Sequence, residues 1–179
     1  MQLARRRVYT GRVVSLDVDT VRYPDGSTGE LEMIRHPGAA AVLPFASDPR
    51  GADPTVLLIR QYRHAADGPL LEIPAGRLAP GEDPDECARR ELLEEVGVTA
   101  GRVEHLTTMW TTPGFTDERI HLYWAAELTA GAPAREPDEF IEVVRKPLSE
   151  VLRLVRDGGI CDGKTVAAIL YMAGFTLAM

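Results

Sequence analysis

Between Gly76 and Val98 the chain reads GRLAPGEDPDECARRELLEEVGV, and seven of these twenty-three residues are acidic. Asp83 can cap a helix, Pro84 suits its first turn, Glu86 lies three residues past the cap to close a capping box, and Gly97 ends it. At about 100° per residue, Ala88, Leu92, Leu93 and Val96 form one apolar face, whereas Glu91, Glu94 and Glu95 share a separate arc of roughly 100°. Two like charges about 4 Å apart repel by on the order of 4 kcal/mol at an effective dielectric near 20. Such an arc is therefore a poor stability device but a good site for hard divalent cations such as Mg²⁺ or Mn²⁺, which prefer oxygen ligands. The same letters also permit a solvated acidic face, with Glu86 and Glu94 each four residues from Arg90.

The elements that must position this helix are legible on either side. Residues 8 to 23 are rich in β-branched positions, Pro24-Asp25-Gly26 is a turn, and Glu30 to Arg35 is a second extended run, together an N-terminal antiparallel hairpin or meander. After Pro37-Gly38, the apolar run Ala39 to Phe45 is short enough for a buried strand, and Thr55 to Arg60 is another. Leu70 to Gly76 leads into the acidic segment; Val103 to Thr112, Ile120 to Leu128 and Phe140 to Val144 read as strands; Leu148 to Arg156 and Lys164 to Ala178 read as helices. The fold class is α/β, with mixed strands flanked by helices.

At 179 residues the chain is long enough for one domain with a real core, and its 45% hydrophobic and 26% charged content is ordinary for a soluble protein. A formal net charge of −7 argues against general nucleic-acid or anionic-membrane binding, so a phosphate-bearing ligand must be met by local arginines and metal. Cys87 and Cys161 form no CxxC pair and read as reduced thiols, which suits the cytoplasm. Arg5-Arg6-Arg7 is followed by no apolar stretch, and the uncharged run Thr165 to Met179 falls short of the roughly 20 residues of a membrane span.

The order Gly76, five residues, Glu82, seven residues, then Arg90-Glu91-Leu92-x-Glu94-Glu95-x-Gly97-Val98 resembles the Nudix box, the signature of hydrolases acting on nucleoside diphosphates linked to another moiety. Gln61-Tyr62-Arg63, Leu71 to Gly76 and Thr112-Pro113-Gly114-Phe115-Thr116-Asp117-Glu118, with Pro113 fifteen residues after the box, are similar to the ADP-ribose (ADP-sugar) pyrophosphatase branch.

The resemblance implies a Nudix fold, a mixed β-sheet sandwiched between helices over residues 37–179, preceded by the hairpin of residues 1–36. It implies that Glu91 and Glu95 ligate metal, that Glu94 shares the cluster, that the carbonyl of Ala75 adds an oxygen, and that two or three Mg²⁺ ions bridge a diphosphate. Arg90 would orient the glutamates and Glu82 would brace the loop. The base would come from the later loop Arg135 to Phe140, with Glu139 chosen because it stands just before a strand, and Glu136, Asp138 and Glu142 as competitors. Arg35 and Arg63 are candidates for the terminal phosphate, Glu72 for a hydrogen bond to substrate or a structural pair, and Phe115 and Glu118 for the border of sugar or base. Members of the branch are homodimers whose N-terminal strands cross to the partner. The implied reaction is hydrolysis of ADP-ribose to AMP and ribose 5-phosphate, with GDP-mannose or another nucleoside diphosphate sugar as the alternative and a non-catalytic nucleotide-binding regulator as the rival class.

Overall fold

The computed structural model describes residues 1–132 and 140–177. One short strand, β4 (Ala39–Pro44), is buried along its whole length and organises the rest. Strand alternation sends Ala39, Ala41 and Leu43 to one face and Ala40 and Val42 to the other, and each set belongs to its own core cluster. β4 pairs in parallel with β9 (Arg119–Ala130) and antiparallel with β7 (Ala75–Arg77), while β8 (Val98–Trp110) pairs antiparallel with β9. This is the mixed sheet, in the order β7-β4-β9-β8. β5 (Thr55–Arg63) forms a second, antiparallel sheet between β6 (Gly68–Glu72) and β10 (Ile141–Pro147).

Helices cover both faces of the mixed sheet, as expected of a sheet whose central strand is apolar on both sides. Cys87, Ala88 and Leu92 of helix α1 (Pro84–Glu91) and the turn that continues it pack on Ala40 and Val42. On the opposite face Leu148 and Val151 of α2 (Leu148–Arg156) and Ala168 and Ile169 of α3 (Gly163–Tyr171) pack with Leu43, Phe45 and Leu58.

The N-terminal region is a three-stranded antiparallel meander rather than two extended runs. β1 (Gln2–Thr10), β2 (Ser15–Arg22) and β3 (Thr28–Arg35) pair in order, because Gly11 folds back on Val14 and splits what the sequence reads as one stretch. All nine residues of β1 are exposed. Asp17 and Asp19 of β2 are buried and are held by Arg35, with Arg5 and Arg7 also on Asp17. Arg35 reaches Asp117 as well, and Ile34 donates its N–H to the Phe115 carbonyl at 2.8 Å, tying the meander to the 112–118 loop.

Candidate active site

The acidic helix starts as its sequence dictates but ends differently. Asp83 caps it by accepting from the Asp85 N–H, one residue earlier than the expected Glu86 position, and Glu86 is exposed. After Glu91 the helix widens into one π-helical turn, Leu92–Val96, closed by Gly97 at φ 75°, where glycine carries no Cβ penalty. The wider turn departs from 100° spacing. Leu93 leaves the apolar face and lies against Gly131, Cys87 takes its place in the core, and Glu95 is drawn inward to 2% exposure.

Glu95 Oε2 accepts from the backbone N–H of Ala75 at 2.9 Å, so the helix and β7 are stitched together by the carboxylate itself. Glu91 lies directly over Gly76: a Cβ there would come within 1.7 Å of its Oε1. Arg90 Nη1 donates to Glu91 at 2.6 Å and to Glu94 at 2.9 Å, while its Nε and Nη2 hold Glu82 at 2.8 and 3.1 Å. Glu82 also accepts from the Ala79 N–H, which braces the loop. The Arg90 hydrogen bonds, outweighing desolvation, hold the Glu82 carboxyl down at about 2, and the same carboxylates raise the Arg90 guanidinium further above its ordinary range.

These groups border a cavity of about 370 Å³ lined by Gln61, Arg63, Ala75, Glu91, Glu94 and Glu95 among others. A second cavity of about 470 Å³ shares Arg63, Ala75, Gly76 and Arg77 with it and adds Met109, Thr111, Glu118 and Lys164. The first chamber therefore sets Glu91, Glu94 and Glu95 beside Arg63, Arg77 and Arg90, and its neighbour adds Lys164.

The expected convergence of glutamates on a common centre is not what the side chains do. Among the described residues no group of three His, Cys, Asp or Glu side chains is gathered as a ready metal cage. Arg90 holds Glu91 and Glu94, and Ala75 holds Glu95, because apposed carboxylates settle on whatever donors the chain provides. The donor chemistry nevertheless fits a hard divalent ion: oxygen ligands on one cavity wall, two of them reachable by release from a single guanidinium.

The remaining sequence candidates separate clearly. Glu72 is buried, with one oxygen 2.8 Å from Arg63 Nε and the other 2.8 Å from Arg63 Nη2 and 2.5 Å from Lys164 Nζ. Burial alone would push its carboxyl up, but Arg63 and Lys164 together bring it below the ordinary value. Glu72 thus forms a buried pair with Arg63 and Lys164. Glu118 lines the second cavity and accepts from Thr111. Phe115 is half-exposed on the loop. Arg35 is committed to Asp17, Asp19 and Asp117 and is not among the residues lining either cavity. Glu139, Glu136 and Asp138 lie outside the described residues, and Glu142 of β10 pairs with Arg60 of β5.

Lys164, Met109 and Thr111 were not anticipated. Lys164 had one available signal: it stands in the first turn of α3, just after the Asp162 cap, where the helix dipole disfavours a cation. It is retained there by Glu72 and by Asp162 at 2.9 Å.

The model of the NUDIX domain matches residues 35–168. The chain belongs to the NUDIX family. Across 95% of its length it is 37% identical to the ADP-ribose pyrophosphatase of Bacillus subtilis, covering 90% of that protein. It is 40% identical to the methanol dehydrogenase activator of Bacillus methanolicus over 93% of the chain and 88% of that protein, and 36% identical to the GDP-mannose pyrophosphatase of Yersinia enterocolitica over 81% and 78%. The crystal structure of an ADP compounds hydrolase superposes with a TM-score of 0.83 at 23% identity, over 99% of this chain and 94% of that one, a likeness of fold. As a NUDIX hydrolase the chain is an enzyme of a superfamily that generally uses divalent metal ions. Among the described residues no helix is long and apolar enough to cross a membrane.

Proposed function

We propose that this NUDIX hydrolase cleaves the diphosphate of ADP-ribose to AMP and ribose 5-phosphate with Mg²⁺, two or three ions per site, and that Mn²⁺ can substitute. The observation that carries this reading is the pair of adjoining cavities, one bearing Glu91, Glu94 and Glu95, the other bearing Lys164, with Arg63 lining both. Glu91, Glu95 and the Ala75 carbonyl would hold the metal, with Glu94 completing the set. Metal bound there would supply charge neutralisation of the diphosphate and a water of lowered pKa.

The chain's own groups do the rest. Arg90 bonds Glu91 and Glu94 and would have to release their oxygens for a metal to be held there, while its bonds to Glu82 would keep the guanidinium at the site. Arg63, anchored by both oxygens of Glu72, presents a fixed cation at the boundary of the two cavities, and such preorganised charge is worth most where it need not rearrange. Glu139 takes the proton of the attacking water. Thr111, Glu118 and Phe115 border the sugar or base.

The likeness to a GDP-mannose pyrophosphatase supports a second reading of the substrate only, because base identity is decided by a few pocket contacts. Intact box glutamates favour an enzyme over a regulator. A homodimer is favoured by β1, an edge strand exposed on every residue with Leu3, Val8 and Tyr9 uncovered, since such edges seek partners; residues 1–36 would then be the dimerisation segment. Two free cysteines suit the cytoplasm.

The test is turnover of ADP-ribose, GDP-mannose, NADH and diadenosine polyphosphates with Mg²⁺, with products separated by chromatography. AMP formed fastest from ADP-ribose supports the proposal, and faster GMP release from GDP-mannose transfers it to the second substrate.

A further inference from the structure

Strand alternation along β5 puts Gln61 on the same face as Arg63, while Arg60 and Tyr62 turn to the other side and are exposed. Gln61 lines the carboxylate cavity. Among the described residues its Oε1 is the buried side-chain oxygen or nitrogen atom with no hydrogen-bond partner. A buried acceptor left without a donor is destabilising, so its retention calls for an explanation.

Around it the cavity is lined by three carboxylates and by Arg63, Arg77 and Arg90. Glu91, Glu94 and Glu95 are acceptors when ionised and have no proton to give. Arg63 directs Nε and Nη2 to Glu72, and Arg90 serves Glu82, Glu91 and Glu94. A water entering the cavity can donate to Oε1, and beside three carboxylates that water can belong to the shell of a hydrated divalent cation. Small hard ions dehydrate reluctantly and keep several waters, whose polarised O–H bonds point away from the metal and seek acceptors. A neutral amide suits this work because it accepts without adding another negative charge to the cluster.

We propose that Gln61 is a positioning residue for the hydrated metal, its Oε1 accepting from a water of the ion's hydration shell. The proposal rests on the metal reading of the carboxylate site given above. Partners of this outer kind typically change metal affinity by about 10–100-fold when removed.

The experiment is Mn²⁺ binding to the intact, substrate-free protein, followed by the electron paramagnetic resonance of the free ion. Wild type, Glu95→Gln, Gln61→Leu and Gln61→Glu are compared, with Tm measured for each metal-free protein. Gln61→Leu should bind Mn²⁺ about 10-fold or more weakly while its metal-free Tm equals or exceeds that of wild type, since an unpaired acceptor has been removed. Gln61→Glu should bind at least as tightly as wild type. Gln61→Leu within twofold of wild type, alongside a strongly weakened Glu95→Gln, would overturn the role of Gln61 and leave the carboxylate site standing. Should Gln61→Leu not fold, Gln61→Glu decides alone: weaker binding than wild type would refute the proposal. Equal binding by wild type and Glu95→Gln would sink the carboxylate-site reading itself, and this inference with it.

Discussion

Two acidic clusters in this molecule are paired in different ways. In the N-terminal meander, Asp17, Asp19 and Asp117 are met by Arg35, and Asp17 also by Arg5 and Arg7, so cations match carboxylates. On the catalytic helix, the single guanidinium of Arg90 serves Glu82, Glu91 and Glu94, while Glu95 leans on a backbone N–H. The first cluster has Asp17 fully buried and joins the meander to the 112–118 loop. The second borders a cavity lined by Glu91, Glu94 and Glu95 together with Arg63, Arg77 and Arg90, so its carboxylate oxygens lie where a cation from solution can reach them. The aspartates of the meander are held by several arginines; the glutamates of the catalytic helix share one guanidinium and a backbone N–H at the wall of a cavity.

Substitutions can break this contrast. Glu95→Gln should lower kcat on the order of 10³-fold, as loss of a preorganised charge in a reacting site does, while Tm stays near wild type because the amide oxygen still accepts from Ala75. Retention of more than half the wild-type rate would remove Glu95 from the metal site. Gly76→Ala should cost roughly 10²-fold in kcat, since its Cβ would occupy the place of the Glu91 carboxylate and a misplaced catalytic group commonly costs that much. Steady-state kinetics beside circular dichroism would separate this from misfolding. Arg35→Ala is the opposite case. It should lower stability in urea titration by about 2–3 kcal/mol, less than the roughly 3–5 of a fully buried pair because Arg5 and Arg7 remain on Asp17. Metal affinity should change little.

The smallest effect concerns acid. The Arg7 hydrogen bond is the main reason that the Asp17 carboxyl stays below its ordinary value of 3.8, against burial that raises it. A depressed folded value means that the folded state binds fewer protons than the unfolded chain. The contribution of Asp17 is therefore complete above about pH 4 and is lost as pH falls through the lower folded value. The stability advantage of wild type over Arg7→Ala should shrink between pH 5 and pH 3, read as urea midpoints at each pH. A constant difference would detach Arg7 from Asp17.

The contrast also explains what the letters could convey. Helix spacing and β-branched runs are local properties, so the acidic helix, β4, β5 and α2 were legible within a few residues. The π-helical turn at Leu92–Val96 was not, because widening a helix depends on what Leu93 and Glu95 meet across the fold, namely Gly131 and the Ala75 N–H. The same holds for Arg35 and Arg63, equal candidates by sequence. Their partners, Asp117 and Asp17 for one and Glu72 for the other, are decided by tertiary pairing, which places only Arg63 at the cavities. Lys164 enters the site from the far end of the chain, 92 residues from Glu72.

The central claim is that the carboxylates of the catalytic helix hold divalent metal beside a nucleoside diphosphate sugar. Anomalous diffraction from crystals soaked with Mn²⁺ and a non-hydrolysable ADP-ribose analogue tests it directly. The account predicts anomalous peaks within ligand distance of Glu91 and Glu95, with Arg90 turned back toward Glu82 and phosphate oxygens against the same ions. Analogue bound with no peak there, and Arg90 still holding Glu91 and Glu94, would contradict it.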